Sequence, residues 1–229
     1  MRVTSTQELP VPPSAATRPR RRLLLASASA ALATPWLGGI AGAQPAAALV
    51  PTPRQTPGPY YPVDWTGDAD GDLVRVTGTD AAAQGVVTHL RGRVLDAQGA
   101  PVAGAVVEIW QCDAFGRYRH PRDRQDGRDP GFQGRGRVQA AADGSYAFRT
   151  IRPVAYPGRT PHIHAAVAAS GRAPLVTQFY VEGEPLNARD GLFNAVRDAR
   201  QREALMLRLD RADAIETGAL LAVRDIVLA

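Results

Sequence analysis

The chain has 229 residues, 45% of them hydrophobic, with one cysteine and a formal net charge of +5. That length supports one domain with a sizeable core, and the single thiol, Cys112, excludes an intrachain disulfide framework. Residues 1–43 hold five arginines (Arg2, Arg18, Arg20, Arg21, Arg22) against Glu8 alone, and removing their +4 from +5 leaves about +1, so charge supports no nucleic-acid partner.

Residues 1–43 have the anatomy of a secretory signal: a basic stretch at 18–22, an apolar stretch at 23–40, and the small-residue site Ala41-Gly42-Ala43 before Gln44. Ser27, Ser29, Thr34, Pro35, Gly38 and Gly39 interrupt the apolar stretch and make it a poor anchor, so no stable membrane span is expected in the mature form. Arginines followed by Leu23-Leu24 look like a twin-arginine signal, which predicts an exported, periplasmic protein beginning near Gln44. Residues 44–57, rich in Ala and Pro, read as a linker or extended arm, and 58–229 as the folded domain.

From residue 86 onward short β-branched runs alternate with turn residues. Strands are predicted at 86–95, 102–110, 146–151, 163–168, 176–181 and 220–228, with Asp143-Gly144 as a hairpin turn. This spacing predicts an all-β fold, a two-sheet β-sandwich with long functional loops at 111–137 and 152–161. One helix is expected at 198–209, short and peripheral.

The segment Tyr156-Pro157-Gly158-Arg159-Thr160-Pro161-His162-Ile163-His164 carries the chemistry. On a strand His162 and His164 look to one face and Ile163 to the other, so one strand can fill two neighbouring coordination positions. Tyr156 and the upstream Tyr118 add two phenols. Phenolate oxygen is a hard anionic donor suited to Fe(III), whereas zinc sites draw on Cys, His and carboxylate, and no cysteine cluster exists here. A His-x-His pair also occurs as two ordinary polar residues, so the spacing alone leaves both readings open.

The stretches LRGRVLDAQGAPVAGAVVEIWQCDAFGRYR (90–119), DGSYAFRTIR (143–152), 156–164 and TQFYVEG (177–183) closely resemble the intradiol ring-cleavage dioxygenases. TPGPYYP (56–62) and RDIVL (224–228) look like that family's opening and closing signatures. The resemblance implies one mononuclear non-haem Fe(III) per chain, held by Tyr118, Tyr156, His162 and His164. It implies a catechol-type substrate and O2, with cleavage between the two hydroxyl-bearing carbons to a muconate-type diacid. Arg159 matches a catalytic arginine beside the bound diol, Gln178 a glutamine near the ligands, and Tyr156 the tyrosinate that the substrate displaces. Pro59 and Tyr60 match the substrate entrance. Without the resemblance, Arg159 reads as a solvated loop residue and Gln178 as a strand polar group.

Only five residues separate Tyr156 from His162, fewer than in typical protocatechuate-cleaving relatives, which predicts a more open pocket. Trp110 reads as core packing at a sheet edge, His89 as structural, His120 as either close to the ligands or exposed, and Cys112 as a small core residue. Two alternatives stand beside the dioxygenase: a non-catalytic transthyretin-like β-sandwich binding module, and the same scaffold with another metal or a non-catechol ring substrate. The oligomeric state, a homo-oligomer included, and the natural catechol are left open.

Overall fold

The structure, a computed structural model, describes residues 48–229. The predicted signal at 1–43 and the start of the 44–57 arm lie outside the described residues. Ten strands follow in chain order: β1 Val87–Asp96, β2 Val106–Trp110, β3 Arg135–Gln139, β4 Ser145–Ile151, β5 His162–Ala168, β6 Leu175–Val181, β7 Met206–Leu207, β8 Asp210–Arg211, β9 Leu220–Val223 and β10 Ile226–Leu228. Two one-turn helices, α1 Gly191–Ala195 and α2 Ala199–Glu203, lie between β6 and β7.

The strands form two sheets. In the first, β1 pairs antiparallel with β4 on one edge, while its other edge takes β9 and then β10 in parallel. The second runs β3-β2-β5-β6-β7, antiparallel except for the β6–β7 pair. Period-two alternation divides each strand between two faces. Val107, Ile109, Ile163, Ala165, Val167 and Phe179 of the second sheet join Leu90, Phe148 and Ile226 of the first in one buried core. Each large side chain buried there contributes about 1.5–3 kcal/mol. That cohesion leaves the opposite face of β2, β5 and β6 free to carry polar chemistry.

The expected sandwich is observed, with local differences. The 220–228 strand is two strands, because β1 exchanges one partner for the next at Arg224, whose N–H donates to the Arg91 carbonyl. Gly92 permits this close passage: a Cβ there would stand 1.8 Å from the Arg224 carbonyl oxygen. The Asp143-Gly144 turn joins β3 to β4, which belong to different sheets, so it is a crossover and not a hairpin. β2 begins at Val106, later than predicted, since the chain turns at Gly104 (φ +71°). β3 starts inside the predicted 111–137 loop, its Arg- and Gly-rich sequence paired through the β2 backbone.

The 198–209 helix is confined to α2, which buries no residue. After it, Leu205 and Leu207 are drawn inward at strand spacing, and β7 joins the edge of β6. The arm is tied down over its described length: Thr52 N–H donates to the Val227 carbonyl, Gln55 N–H to the Val176 carbonyl, and the Thr177 hydroxyl to the Pro53 carbonyl. It bridges both sheets and delivers Pro59 and Tyr60 to the outer face of the second. Among the described residues no helix is long and apolar enough to cross a membrane.

Candidate active site

On that outer face, strand register sets Trp110, His164 and Gln178 side by side on β2, β5 and β6, with His162 beside Tyr180 in a neighbouring row. The His162 Nδ1 lies 2.6 Å from the Thr160 carbonyl oxygen, an acceptor that fixes the proton on Nδ1 and leaves the Nε2 lone pair outward. That Nε2 stands 3.1 Å from the Nε2 of His164. Burial, reinforced by the Arg159 charge, pushes His162 down to about 4. His164 falls well below the ordinary imidazole value through burial, with His162 and Arg159 adding to the effect. Both rings are therefore neutral at neutral pH, the form that donates to a metal. His164 Nδ1 has no hydrogen-bond partner among the described residues.

Above the sheet the 111–123 loop brings Tyr118 inward. The Asp113 carboxylate accepts from the backbone N–H groups of Phe115, Arg117 and Asp129, and Asp123 accepts from that of Tyr118. These bonds spare a compact loop its unpaired backbone donors. Tyr118 is 2% exposed and its hydroxyl has no partner among the described residues. Burial raises its pKa well above the usual phenol value. Its ring packs edge-on to Tyr156, centroids 5.4 Å apart, and stacks on Tyr60 at 4.5 Å.

Tyr156 opens a tight turn. Pro157 and Gly158 (φ +80°) take the central positions and Arg159 N–H donates to the Tyr156 carbonyl at 2.9 Å, the pattern of a type II turn. This short connection sets Arg159 back against the residue that starts it: its Nη1 donates to the Tyr156 hydroxyl at 3.3 Å. Nη2 donates to Gln178 Oε1, and Nε to Asp190 Oδ2 at 2.8 Å. Burial raises the pKa of Tyr156 while Arg159 opposes the rise. Gln178 is fully buried, its amide donating to the Thr56 carbonyl at 2.9 Å.

Seven of the eight residues singled out in the sequence gather on one face, Tyr118, Tyr156, His162, His164, Arg159, Gln178 and Tyr60, while Pro59, which precedes Tyr60, is exposed. Arg159 is no free loop cation, and Gln178 is no isolated strand polar group. Trp110 departs from the expected edge position; β2 is flanked by β3 and β5, and the indole stacks on the His164 ring at 4.8 Å and 7°. Tyr61 packs against the indole in a T-shaped pair, centroids 4.9 Å apart. His120 is buried, not exposed, accepting from the Arg122 N–H through Nδ1 and packing edge-on to Tyr60 at 5.8 Å. His89 is structural, 3.1 Å from Glu216. Cys112 is packed with Trp110 and Tyr118, and burial pushes its thiol up to about 12.

Asp190 was absent from the sequence reading. Its signal was present: Asp before Gly-Leu-Phe is a helix N-cap pattern, and Asp190 caps α1. The donor set suits a hard trivalent cation. Two imidazole Nε2 atoms converge, two phenols pack beside them, and the Tyr118 hydroxyl is buried without a partner among the described residues, a cost that native folds rarely leave unexplained. Among the described residues no cluster of three or more His, Cys, Asp or Glu side chains offers a rival site.

The family model described as Dioxygenase matches residues 56–229. The protocatechuate 3,4-dioxygenase beta chain of Burkholderia cepacia is 39% identical, over 74% of this chain and 76% of the relative. A catechol 1,2-dioxygenase of Acinetobacter lwoffii is 34% identical, over 67% of this chain and 62% of its own length. Among solved structures, the dioxygenase domain of a dioxygenase carbohydrate-binding protein fusion from Streptomyces sp. SirexAA-E superposes with a TM-score of 0.61 at 35% identity, covering 78% of this chain and 98% of that domain. Sequence, fold and relatives agree that the chain belongs to the intradiol ring-cleavage dioxygenases.

Proposed function

We propose that the protein binds one Fe(III) through Tyr118, Tyr156, His162 and His164. With it and O2, the protein opens a catechol-type diol between its hydroxyl-bearing carbons to a muconate-type diacid. The observation that carries this reading is the approach of two neutral imidazole Nε2 atoms to 3.1 Å beside the buried Tyr118 phenol, whose hydroxyl has no hydrogen-bond partner among the described residues. A transthyretin-like binding module needs none of these groups. Bound iron supplies the Lewis acidity that stabilises phenolate and catecholate oxygens and draws electron density from the diol ring for reaction with O2.

The chain's own groups divide the remaining work. The Thr160 carbonyl and the Trp110 face hold the two imidazoles in orientation. Tyr118, buried among Trp110 and Cys112, is the fixed phenol. Tyr156 is half-buried and reached by one 3.3 Å bond from Arg159, so it is the residue that, held as a phenolate by the metal, would yield to substrate and take up the proton of a diol hydroxyl to become a neutral phenol. Arg159 then faces the new anionic oxygen with a fixed, planar cation. Gln178, locked by Thr56 and Arg159, orients the substrate from the side. Pro59 and Tyr60 form the wall through which the ring enters. The short 156–162 connection supports an open mouth, and the protocatechuate-cleaving relative favours a carboxylated catechol.

Export through a twin-arginine-type signal at 1–43 is part of the same proposal. Fractionation and mass spectrometry of the mature N-terminus test it, a cytoplasmic chain with its first residues intact being the contrary result. For the reaction, an oxygen-uptake screen of substituted catechols with product identification is decisive. Muconate-type diacids are expected; no uptake with any catechol, or extradiol products, would overturn the reading.

A further inference from the structure

We propose that Asp190 is a positioning residue, whose buried carboxylate holds the Arg159 guanidinium against Tyr156 and Gln178. The inference rests on the reaction proposed above. Asp190 is 1% exposed and accepts four hydrogen bonds. Oδ1 accepts from the backbone N–H groups of Leu192 and Phe193, both at 3.0 Å. Oδ2 accepts from the Thr160 N–H at 3.1 Å and from Arg159 Nε at 2.8 Å. Three of the four donors are backbone, so the carboxylate is fixed whether or not Arg159 is present.

The consequence falls on the arginine. Its planar fork has Nε committed to Asp190, which fixes the plane in which Nη1 and Nη2 reach Tyr156 and Gln178. The anchor itself is held to the sheet: Asn187 Nδ2 donates to the Val181 carbonyl, and the Thr160 hydroxyl donates to Asn187 Oδ1, each at 2.8 Å. The 184–196 segment therefore serves as a brace behind the site, with Asp190 as the member that hydrogen-bonds to Arg159. An unbraced guanidinium on a flexible stem would sample other orientations, and a displacement of about 1 Å at a reacting centre can cost on the order of 100-fold in rate.

The test is a double-mutant cycle on the full iron-loaded protein with one catechol: wild type, Asp190→Asn, Arg159→Ala and the double variant. Asparagine keeps an oxygen to cap α1 and loses the charge that pairs with Arg159. Asp190→Asn is expected to keep its iron and visible charge-transfer band, to lose about 10- to 100-fold in kcat with a smaller change in KM, and to cost nothing further when Arg159 is already alanine. Asn187→Ala, which weakens the same brace without touching Arg159, should lose less. Wild-type kcat in Asp190→Asn, an additive loss in the double variant, or an equal loss in Asn187→Ala would each overturn the inference. Should Asp190→Asn not fold, Asp190→Glu, which moves the charge by one methylene, is read through the same cycle against the same outcomes. A wild type inactive toward every catechol would overturn the parent reading and this inference with it. An active wild type with an unaffected Asp190→Asn overturns this inference alone.

Discussion

Tyr118→Phe separates what the hydroxyl costs the fold from what it gives the site. The ring is 2% exposed and packed against Tyr60 and Tyr156, contacts that phenylalanine keeps. The hydroxyl has no partner among the described residues. Burying such a group costs about 1–3 kcal/mol, so its removal should stabilise the metal-free protein by roughly 1 kcal/mol or more. For a domain of this size that is an increase in Tm of about 2–4 °C per kcal/mol. The same substitution deletes one anionic donor, so added Fe(III) should raise the Tm of wild type well beyond that of the variant. Urea and thermal unfolding of chelator-treated protein, repeated with Fe(III), measure both halves. A metal-free Tyr118→Phe that is less stable by 1 kcal/mol or more would refute the reasoning, because the hydroxyl would then be doing structural work. Equal stabilisation of both proteins by Fe(III) would refute its role as a donor.

Arg159→Ala should retain iron and lose on the order of 100-fold in kcat, the scale of removing one preorganised electrostatic contact; stopped-flow turnover of the iron-replete variant checks this, and unchanged kcat refutes it. Away from the site, hydrogen bonds from Arg149, with a smaller contribution from His89, hold Glu216 down to about 2 from an ordinary 4.5. A carboxylate with a depressed folded pKa stabilises above its unfolded value, and loses that contribution as pH falls from about 4.5 toward 2. Glu216→Gln should therefore be less stable than wild type at pH 6 and equal to it near pH 2 in urea unfolding, the gap narrowing with salt because the group is partly exposed. A gap that persists at pH 2 would assign the loss to packing.

The sequence made legible what depends on local pattern. Strands β1, β4, β5 and β6 were readable because β-branched and aromatic runs there lie between strong turn residues, and period two placed His162 and His164 on one face. β3 was hidden because Arg-Gly-Arg-Val-Gln has no strand signal of its own and owes its conformation to β2. The 198–209 helix was overextended because Leu205 and Leu209 fit helical spacing while Leu205 and Leu207 fit extended spacing, and only burial beside β6 decides between them. At the site, the ligand-type residues could be named from their motifs. The stacking of Trp110 on His164 and the grip of Asp190 on Arg159 could not, since both join elements distant in sequence whose register exists only after the sheet and its covering loops assemble.

The most direct test of the central claim is the visible absorption spectrum of purified protein loaded with iron, taken together with its metal content. One iron per chain and a red-brown tyrosinate-to-Fe(III) charge-transfer band, lost on chelation and diminished in both Tyr118→Phe and Tyr156→Phe, is the predicted result. A colourless protein, whether metal-free or holding stoichiometric zinc, would contradict it.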